Sequence, residues 1–550
     1  MRTESLAFEK SSASSVIGIR RWSLVLLLPA VGFTLVLAFE ISQRVRFPWD
    51  NFIWSESPFL TNLMKLRAGK PIFGDPADAN SFVYSPGLEY LSYALLRPFG
   101  KELDVRYCRG VVVALGVVAS MAAALAGGRL LDAIGLARAN RRAFRPFGAM
   151  LTSLVLFENF TADVCHPDNL MIAHACVTFA LAWVASRGAG WKLPLAVVVF
   201  GSLGVLTKQT AGGIGVATLV GLLVVRRDLR AWRTVTALVA STLLVTGAAA
   251  ASLLAPANSR FWTFDLLHRQ TVFWASIHFF APGVLPFPHR VLLFMLAPVA
   301  VSSLLLRHER APRDFATLWL CSGAGILPSF AAFMKVFGSW NNLVVFDVWS
   351  ALLVVPWLWL TAARFLDAER ADGPERRSFE PRREVLAPLP VGALLLLLLT
   401  VFPTRAWPSR AHYQTGRELD SELRAAHRRH ENVLVAHGTM SLIRAGYREV
   451  PLDRANTILE MSAARELGRA ATRSRITAKF YDRVYLPAAA EWYGPLLALI
   501  ETNYEQVGVI AAPSARRDAA GTEGLGDGFG YQNGPRVMDS EIRILRRRPN

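Results

Sequence analysis

Long apolar runs recur along most of this chain, and they constrain its fold more than any other feature. The first run, residues 22–41, follows a basic flank and is about 20 residues long, which is enough to span a bilayer as a helix. Similar runs continue to residue 402 and number about eleven. Hydrophobic side chains make up 53% of the chain and charged ones only 19%, a balance unlike that of soluble proteins. The sequence therefore predicts a mainly α-helical, polytopic membrane protein.

The predicted spans share length and apolarity, and they lie at 22–41, 106–126, 145–160, 169–186, 193–207, 210–225, 233–254, 288–306, 315–335, 341–363 and 386–402. Two of them, 193–207 and 210–225, are separated only by Thr207, Lys208 and Gln209. A single helix over both would be about 50 Å long, against a hydrocarbon core of about 30 Å. We therefore predict a tight hairpin with Lys208 at its tip. The first run is longer than the apolar core of a cleaved signal peptide, so we expect it to be retained.

The placement of basic residues predicts the orientation of the spans. Arginines cluster in every second loop, as at Arg226, Arg227, Arg230 and Arg233, and such loops stay in the cytoplasm. Residues 1–21 share that side, so the first outer loop, 42–105, and everything after residue 403 lie outside the inner (plasma) membrane. The net charge of +18 is thus an orientation signal, and nucleic acid is not a predicted partner.

Residues 404–550 have the composition of a soluble domain, after a cytoplasmic N-terminus (1–21) and a transmembrane domain (22–403). Predicted strands at 432–436, 481–486 and 506–511 alternate with predicted helices at 410–430, 456–468 and 488–504. This alternation indicates a small extracytoplasmic α/β domain. The glycine-rich segment 524–530 has neither a strand before it nor a clear helix after it, so we predict a surface turn rather than a phosphate loop.

Two carboxylates, Asp50 and Glu56, follow the first span at the outer face. Trp49, Phe52 and Trp54 are their neighbours in the sequence, and aromatic surroundings remove water from a carboxylate and make it a better general base. Aromatic residues also gather at membrane interfaces for reasons unrelated to catalysis. A role as solvated interface residues therefore stays open for both acids.

The short outer loop 158–169 is rich in polar residues and carries no lysine or arginine. His166 and Asp168 are its candidate functional side chains. A structural role is the alternative, in which Asp168 or Asn169 caps the next helix. A metal site built from His166 and nearby carboxylates has no recognised spacing, so the requirement for a divalent metal ion stays open.

Lys208 is the most informative single cation because it stands between two apolar runs. A lysine near membrane depth is costly unless it faces a polar cavity or an anion, and snorkelling to the headgroups is the alternative. Gln209 beside it could help to bind a phosphate. Lys335, Asp347 and the turn 340–342 are further candidates.

Several short motifs occur in one order and on one predicted side of the membrane. They are the acidic position after the first span, Ala68–Phe73, Phe82–Pro86, His166–Asn169 and Leu206–Gln209. In this combination the chain resembles the GT-C superfamily of integral-membrane glycosyltransferases, particularly its bacterial mannosyltransferase-like and lipid A aminoarabinose transferase-like branches. Many relatives have two adjacent acids in the first outer loop, whereas here five residues separate Asp50 from Glu56.

The resemblance implies an enzyme that moves a sugar from a polyprenyl-phosphate carrier to an envelope lipid, glycan or protein on the outer face of the membrane. An acidic residue of the first outer loop would be the catalytic base. This role falls on Asp50 as the first choice, with Glu56 as the alternative. The candidate substrate- and phosphate-binding residues are Tyr84, His166, Asp168, Lys208, Gln209 and Lys335.

Two other functions remain open at this stage. A transporter would place its ionisable residues near mid-membrane and often shows internal repeats. A non-catalytic envelope assembly protein would bind a partner through its C-terminal domain. The acids of this chain lie at one membrane face and no repeat is evident, which favours the enzyme.

Overall fold

The computed structural model describes residues 2–50, 55–76, 81, 83–136, 138–158, 162–269, 284–285, 287–334, 340–371, 388–402, 408–436, 438–447, 471–488, 494–512 and 541–549. Up to residue 402 the regular structure of these residues is helical, and the strands occur after that point. The predicted helix at 456–468, the glycine-rich segment 524–530 and Lys335 lie outside the described residues.

Sixteen α-helices precede residue 402 in the described part of the chain. They are α1 (Arg2–Arg46), α2 (Glu56–Arg67), α3 (Gly87–Leu96), α4 (Val105–Ala133), α5 (Arg138–Phe157), α6 (Asp168–Arg187), α7 (Lys192–Ser202), α8 (Gly204–Thr207), α9 (Ile214–Val225), α10 (Trp232–Leu254), α11 (Leu266–Arg269), α12 (Pro288–Leu305), α13 (Arg310–Ala324), α14 (Pro328–Phe333), α15 (Val344–Ala371) and α16 (Pro388–Thr400).

Seven helical segments are long and apolar enough to cross a membrane, so the chain is a multi-pass membrane protein. Within the described residues they are Trp22–Arg46, Val105–Ala133, Asp168–Arg187, Trp232–Leu254, Pro288–Leu305, Arg310–Phe333 and Val344–Phe365. Helices also occupy the other four predicted spans. Three of these are shorter apolar helices, and α5 begins with several arginines. The predicted total of about eleven crossings therefore remains a prediction.

The helices pack around α15, whose membrane-crossing part is the most buried of the seven. Of its most apolar stretch, 83% is buried, against 22% for α10 and 28% for α1. Outward-facing leucines of the two peripheral helices, such as Leu28 and Leu244, are largely exposed. Such an apolar exterior is what lipid contact requires.

The break that was predicted between two short spans is present at Lys208. Its backbone is extended, with φ −158° and ψ 143°, between α8 and a 3₁₀ turn at Gln209–Ala211. Residues 192–207 and 209–225 are thus two separate apolar helical segments.

The strands and remaining helices form a C-terminal region, which we define as residues 408–549. Its elements are α17 (Arg410–Arg428), β1 (Val433–Val435), α18 (Thr439–Ala445), α19 (Ala471–Thr477), β2 (Arg483–Pro487), α20 (Gly494–Asn503), β3 (Tyr504–Ile510) and β4 (Ile542–Arg547). The sheet has the order β1-β2-β4-β3, with β1 parallel to β2 and β4 antiparallel to both of its neighbours. The three predicted strands are present, whereas β4 and α18 were not predicted.

The C-terminal region packs directly on residues 42–105, the predicted first outer loop. The Trp49 indole donates a hydrogen bond from Nε1 to Asp420 Oδ1 at 3.1 Å, and the Arg444 guanidinium lies 5.0 Å from the Trp49 ring centroid. Gly416 of α17 lies against the same ring, where a Cβ atom would overlap the indole. This contact brings α18 next to Asp50.

Candidate active site

Lys208 is buried at the turn between α8 and α9, with its ammonium group held by two side chains. Its Nζ donates to Asp168 Oδ1 at 2.6 Å and to Asn342 Oδ1 at 3.2 Å, and its side chain is only 2% exposed. Lys208 therefore does not snorkel to the headgroups. A buried lysine paired with a carboxylate at a span end is the kind of intramembrane charge that marks a functional site.

Asp168 joins Lys208 to His166. Its Oδ2 lies 3.0 Å from His166 Nδ1, and both side chains are buried. The side chain of Asn169 donates to the carbonyl oxygens of Val112 and Ala162, which fixes the loop before α6.

The expectation that Asp168 or Asn169 caps α6 is wrong. Pro167 occupies the cap position of this helix, and no side chain accepts a hydrogen bond there. Asp168 instead lies within the helix and uses its carboxylate for Lys208 and His166.

Tyr84 closes the cluster from the first outer loop. The centroid of its ring lies 5.4 Å from that of the His166 ring and 5.5 Å from Lys208 Nζ. The Gln209 side chain donates from Nε2 to the Val83 carbonyl at 2.8 Å. The structure thus brings together Tyr84, His166, Asp168, Lys208 and Gln209, which were predicted from separate motifs; we call them, with Asn342, the Lys208 cluster.

The start of α3 is fixed against the Lys208 turn. Ser85 Oγ donates to the Val205 carbonyl at 2.8 Å. Gly87 lies so close to Leu206 that a Cβ atom would overlap the Leu206 carbonyl. Only glycine fits this approach, which explains its place after the Tyr84 motif.

Asp50 is fully buried and accepts three hydrogen bonds. Ser57 Oγ donates to its Oδ2 at 2.6 Å, and the backbone N–H groups of Thr439 and Met440 donate to the same carboxylate at 2.8 and 3.0 Å. Two of these three donors belong to α18 of the C-terminal region. The carboxylate is therefore held at the junction between the first outer loop and that region.

Glu56 is paired with Arg109 of α4. Nε and Nη2 of Arg109 each donate to one carboxylate oxygen at 2.7 Å, and neither side chain is exposed. Arg109 also donates to the backbone carbonyls of Arg44, Phe47 and Trp49, so it organises the chain around Asp50. Burial raises the pKa of Glu56, although the Arg109 guanidinium opposes this shift.

Glu56 contacts Cys165, the residue before His166 of the Lys208 cluster. The Cys165 backbone N–H donates to Glu56 Oε1 at 3.4 Å, and the Cys165 carbonyl accepts from Ser55 Oγ at 3.0 Å. His166 follows directly in the chain. Glu56 therefore helps to hold the backbone that leads into His166, and the Asp50 charge contributes to the raised pKa of Glu56.

Sequence reasoning missed the roles of Asn342 and Arg109. Asn342 belongs to the turn 340–342 that was noted only as a weaker candidate, and it now provides the second acceptor for Lys208. Arg109 stands inside a predicted apolar span, and a charged residue in that position was a usable signal. The described residues contain no group of three His, Cys, Asp or Glu side chains suited to a metal ion.

A scan of protein-family models finds no match, and no curated protein matches this sequence. Solved structures similar to the chain include ArnT from Cupriavidus metallidurans bound to undecaprenyl phosphate, at 12% identity and a TM-score of 0.48, covering 95% of this chain and 98% of ArnT. They also include the archaeal oligosaccharyltransferase AglB from Archaeoglobus fulgidus, in complex with an inhibitory peptide and a dolichol-phosphate. That match has 12% identity and a TM-score of 0.46, and covers 90% of this chain and 73% of AglB.

Proposed function

We propose that this chain is a membrane glycosyltransferase that moves a sugar from a polyprenyl-phosphate carrier to an acceptor outside the cytoplasm. The observation that carries the proposal is the buried Lys208 ammonium at the end of a membrane helix, oriented by Asp168 and Asn342. A cation in this position suits a lipid phosphate that enters from the bilayer. The motifs that resemble those of GT-C enzymes also converge on this point.

Lys208 would stabilise the leaving group. As the bond between the anomeric carbon and the phosphate oxygen breaks, its electron pair stays on that oxygen and adds negative charge to the carrier phosphate. Fixed cations in a site with little water stabilise such charge strongly. Asp168 and Asn342 keep the ammonium in place, and the Tyr84 and His166 rings pack beside it.

Asp50 is the proposed base, with Glu56 as the alternative. The acceptor hydroxyl forms the new bond to the anomeric carbon, and its proton passes to the carboxylate through an oxocarbenium-like transition state. Arg109 engages both oxygens of Glu56, which leaves Asp50 the stronger candidate. Among the described residues, Asp50 Oδ1 accepts a single hydrogen bond, from the Met440 N–H, so a lone pair of this oxygen remains to take the proton.

The positions of the buried charges favour the enzyme over a transporter. Transport sites lie near mid-membrane, whereas the buried ion pairs here lie at or beyond the ends of candidate spans. They are Arg44–Asp163, Glu56–Arg109, Asp168–Lys208 and Arg290–Asp347. In the predicted orientation these ends share the outer face.

The test is release of free polyprenyl phosphate from a panel of polyprenyl-phosphate sugars by purified protein in lipid, with envelope extract as the acceptor. Wild type should release the carrier, and Lys208→Met should lower turnover by about 100-fold or more, the size of effect seen when one charge-stabilising donor is lost. Lys192→Met is the matched control, because Lys192 is exposed at the other end of the same helical hairpin.

Three further variants separate the roles of the acids. Asp50→Asn should abolish release if Asp50 is the base, whereas Ser57→Ala removes one donor from Asp50 and should leave release intact. Loss of release in Glu56→Gln alone would assign the base to Glu56. If correctly inserted wild-type protein releases no carrier from any donor, the glycosyltransferase proposal is wrong, and transport or envelope assembly becomes the better explanation.

A further inference from the structure

A groove of about 620 Å³ lies beside the second half of α3. Its walls come from the end of α1, the second half of α3 and the first half of α4. Most of the lining side chains are aliphatic, among them Val45, Leu91, Leu95 and Val118, and the lining also includes Arg46 and Arg106.

The groove follows α4 from the membrane surface inward. Arg106, Gly110, Ala114 and Val118 recur every fourth residue and therefore share one helix face. At 1.5 Å per residue, Val118 lies about 18 Å from Arg106 along the helix, comparable with half of a hydrocarbon core of about 30 Å. The groove thus has the depth of one leaflet.

Positive charge gathers at the surface end of this groove. Arg46 is exposed and, within the described part of the chain, has no acidic side chain in ion-pair distance. Arg106 pairs with Asp104 through Nε and Nη2, so that Nη1 is the atom placed to bind a further anion. Lys101 Nζ lies 5.4 Å from the Tyr107 ring centroid. Arg46, Arg106 and Lys101 thus lie at this end, and Asp104 pairs with Arg106.

We propose that this groove binds one anionic phospholipid of the outer leaflet, with its phosphate between Arg46 and Arg106 and one acyl chain along α4. Cations at headgroup level attract anionic lipids, and the aliphatic walls match an acyl chain. The carrier is not the proposed occupant, because no residue of the Lys208 cluster lines the groove. This inference does not depend on the proposed glycosyl transfer.

The test is native mass spectrometry of detergent-solubilised protein supplied with phosphatidylglycerol or phosphatidylcholine. Wild type should retain phosphatidylglycerol in preference to phosphatidylcholine. Gly110→Phe should remove this retention by filling the groove, since open space surrounds Gly110. Gly247→Phe is the matched control, because Gly247 also has open space around it on a membrane helix, and it should behave as wild type.

Two arginine variants test the headgroup contact even if Gly110→Phe does not fold. Arg46→Gln and Arg106→Gln should each weaken phosphatidylglycerol binding about fivefold, as expected for one cation near an anionic lipid surface, and leave phosphatidylcholine unchanged. Lys208→Met should retain the lipid, which separates this site from the transfer reaction. Equal retention by Gly110→Phe and Gly247→Phe would overturn the proposal. Displacement of phosphatidylglycerol by undecaprenyl phosphate would also overturn it, because the groove would then belong to the carrier.

Discussion

Glu89 is a buried acid outside the membrane spans. Its protonation should make the free energy of unfolding depend on pH. It is 2% exposed, and Asn62 Nδ2 donates to its Oε1 at 3.0 Å. Burial raises the pKa of Glu89 to about 7. The folded state binds this proton more tightly than the unfolded state does. Protonation of Glu89 therefore contributes its full amount to the free energy of unfolding below the usual glutamate pKa of about 4.3, and this contribution is lost as the pH rises towards 7.

Glu89→Gln should therefore stabilise the protein at about pH 8, by up to about 3 kcal/mol, and have little effect at about pH 4. Glutamine keeps an oxygen that can accept from Asn62. The measurement is the free energy of unfolding in detergent at both pH values. Glu505→Gln, at an exposed position of β3, is the control and should show no such difference. An equal effect of Glu89→Gln at the two pH values would contradict the raised pKa.

For single residues, the sequence indicated which side chains are important. It did not indicate which partners they contact. Lys208 and Asp168 stood out because charge near an apolar run needs an explanation, but their pairing requires two loops 40 positions apart to meet. Asn342 is a further 134 positions away from Lys208, and asparagine gives no comparable signal. The capping of Asp50 by α18 could not be read from local pattern, because it depends on how the C-terminal region docks.

At the scale of elements, the contact between α17 and the first outer loop depends on Gly416. Alanine raises intrinsic helix stability relative to glycine by about 1 kcal/mol, yet its Cβ would overlap the Trp49 ring. Gly416→Ala should therefore loosen the C-terminal region despite the better propensity, and trypsin should release fragments of residues 408–549 several-fold faster. In Gly508→Ala the nearest atom would be 3.6 Å away, so this control should digest as wild type does. Unchanged digestion of Gly416→Ala would refute the docking contact.

Most elements of the C-terminal region with a clear local pattern were predicted, whereas α18 and β4 were missed. The helix α17 and the strands β1 to β3 match their predicted positions within a few residues. With only seven residues, α18 is too short to show a helical period. The sequence of β4, Ile-Arg-Ile-Leu-Arg-Arg, begins with the alternation expected of a half-buried strand, so that signal was present and overlooked.

At the scale of the whole molecule, the orientation is the main prediction. A reporter enzyme that works only outside the cytoplasm should be active when fused after Asn550 and inactive when fused after Ala371. The reason is that residues 364–383 are rich in arginine and should stay in the cytoplasm. Measured activities in the opposite order would invert the assignment and move the Lys208 cluster to the cytoplasmic face.

The membrane class and the order of the spans followed from apolar length, which depends on local composition. The number of crossings did not follow so directly, because α5, α9 and α16 are helical but short or interrupted by charge. Whether such helices cross depends on their neighbours in the bundle, and no single-segment property contains that information.

Because Gly87 packs closely on the Leu206 carbonyl, α3 connects the Lys208 turn with the groove. One end of this helix is fixed against the Lys208 turn, and the other end is a wall of the groove. Thinning or bending of the bilayer that displaces the groove side of α3 would be transmitted to the Lys208 ammonium group. If the chain transfers a sugar as proposed, its rate would then depend on the thickness and curvature of the bilayer as well as on the supply of its substrates.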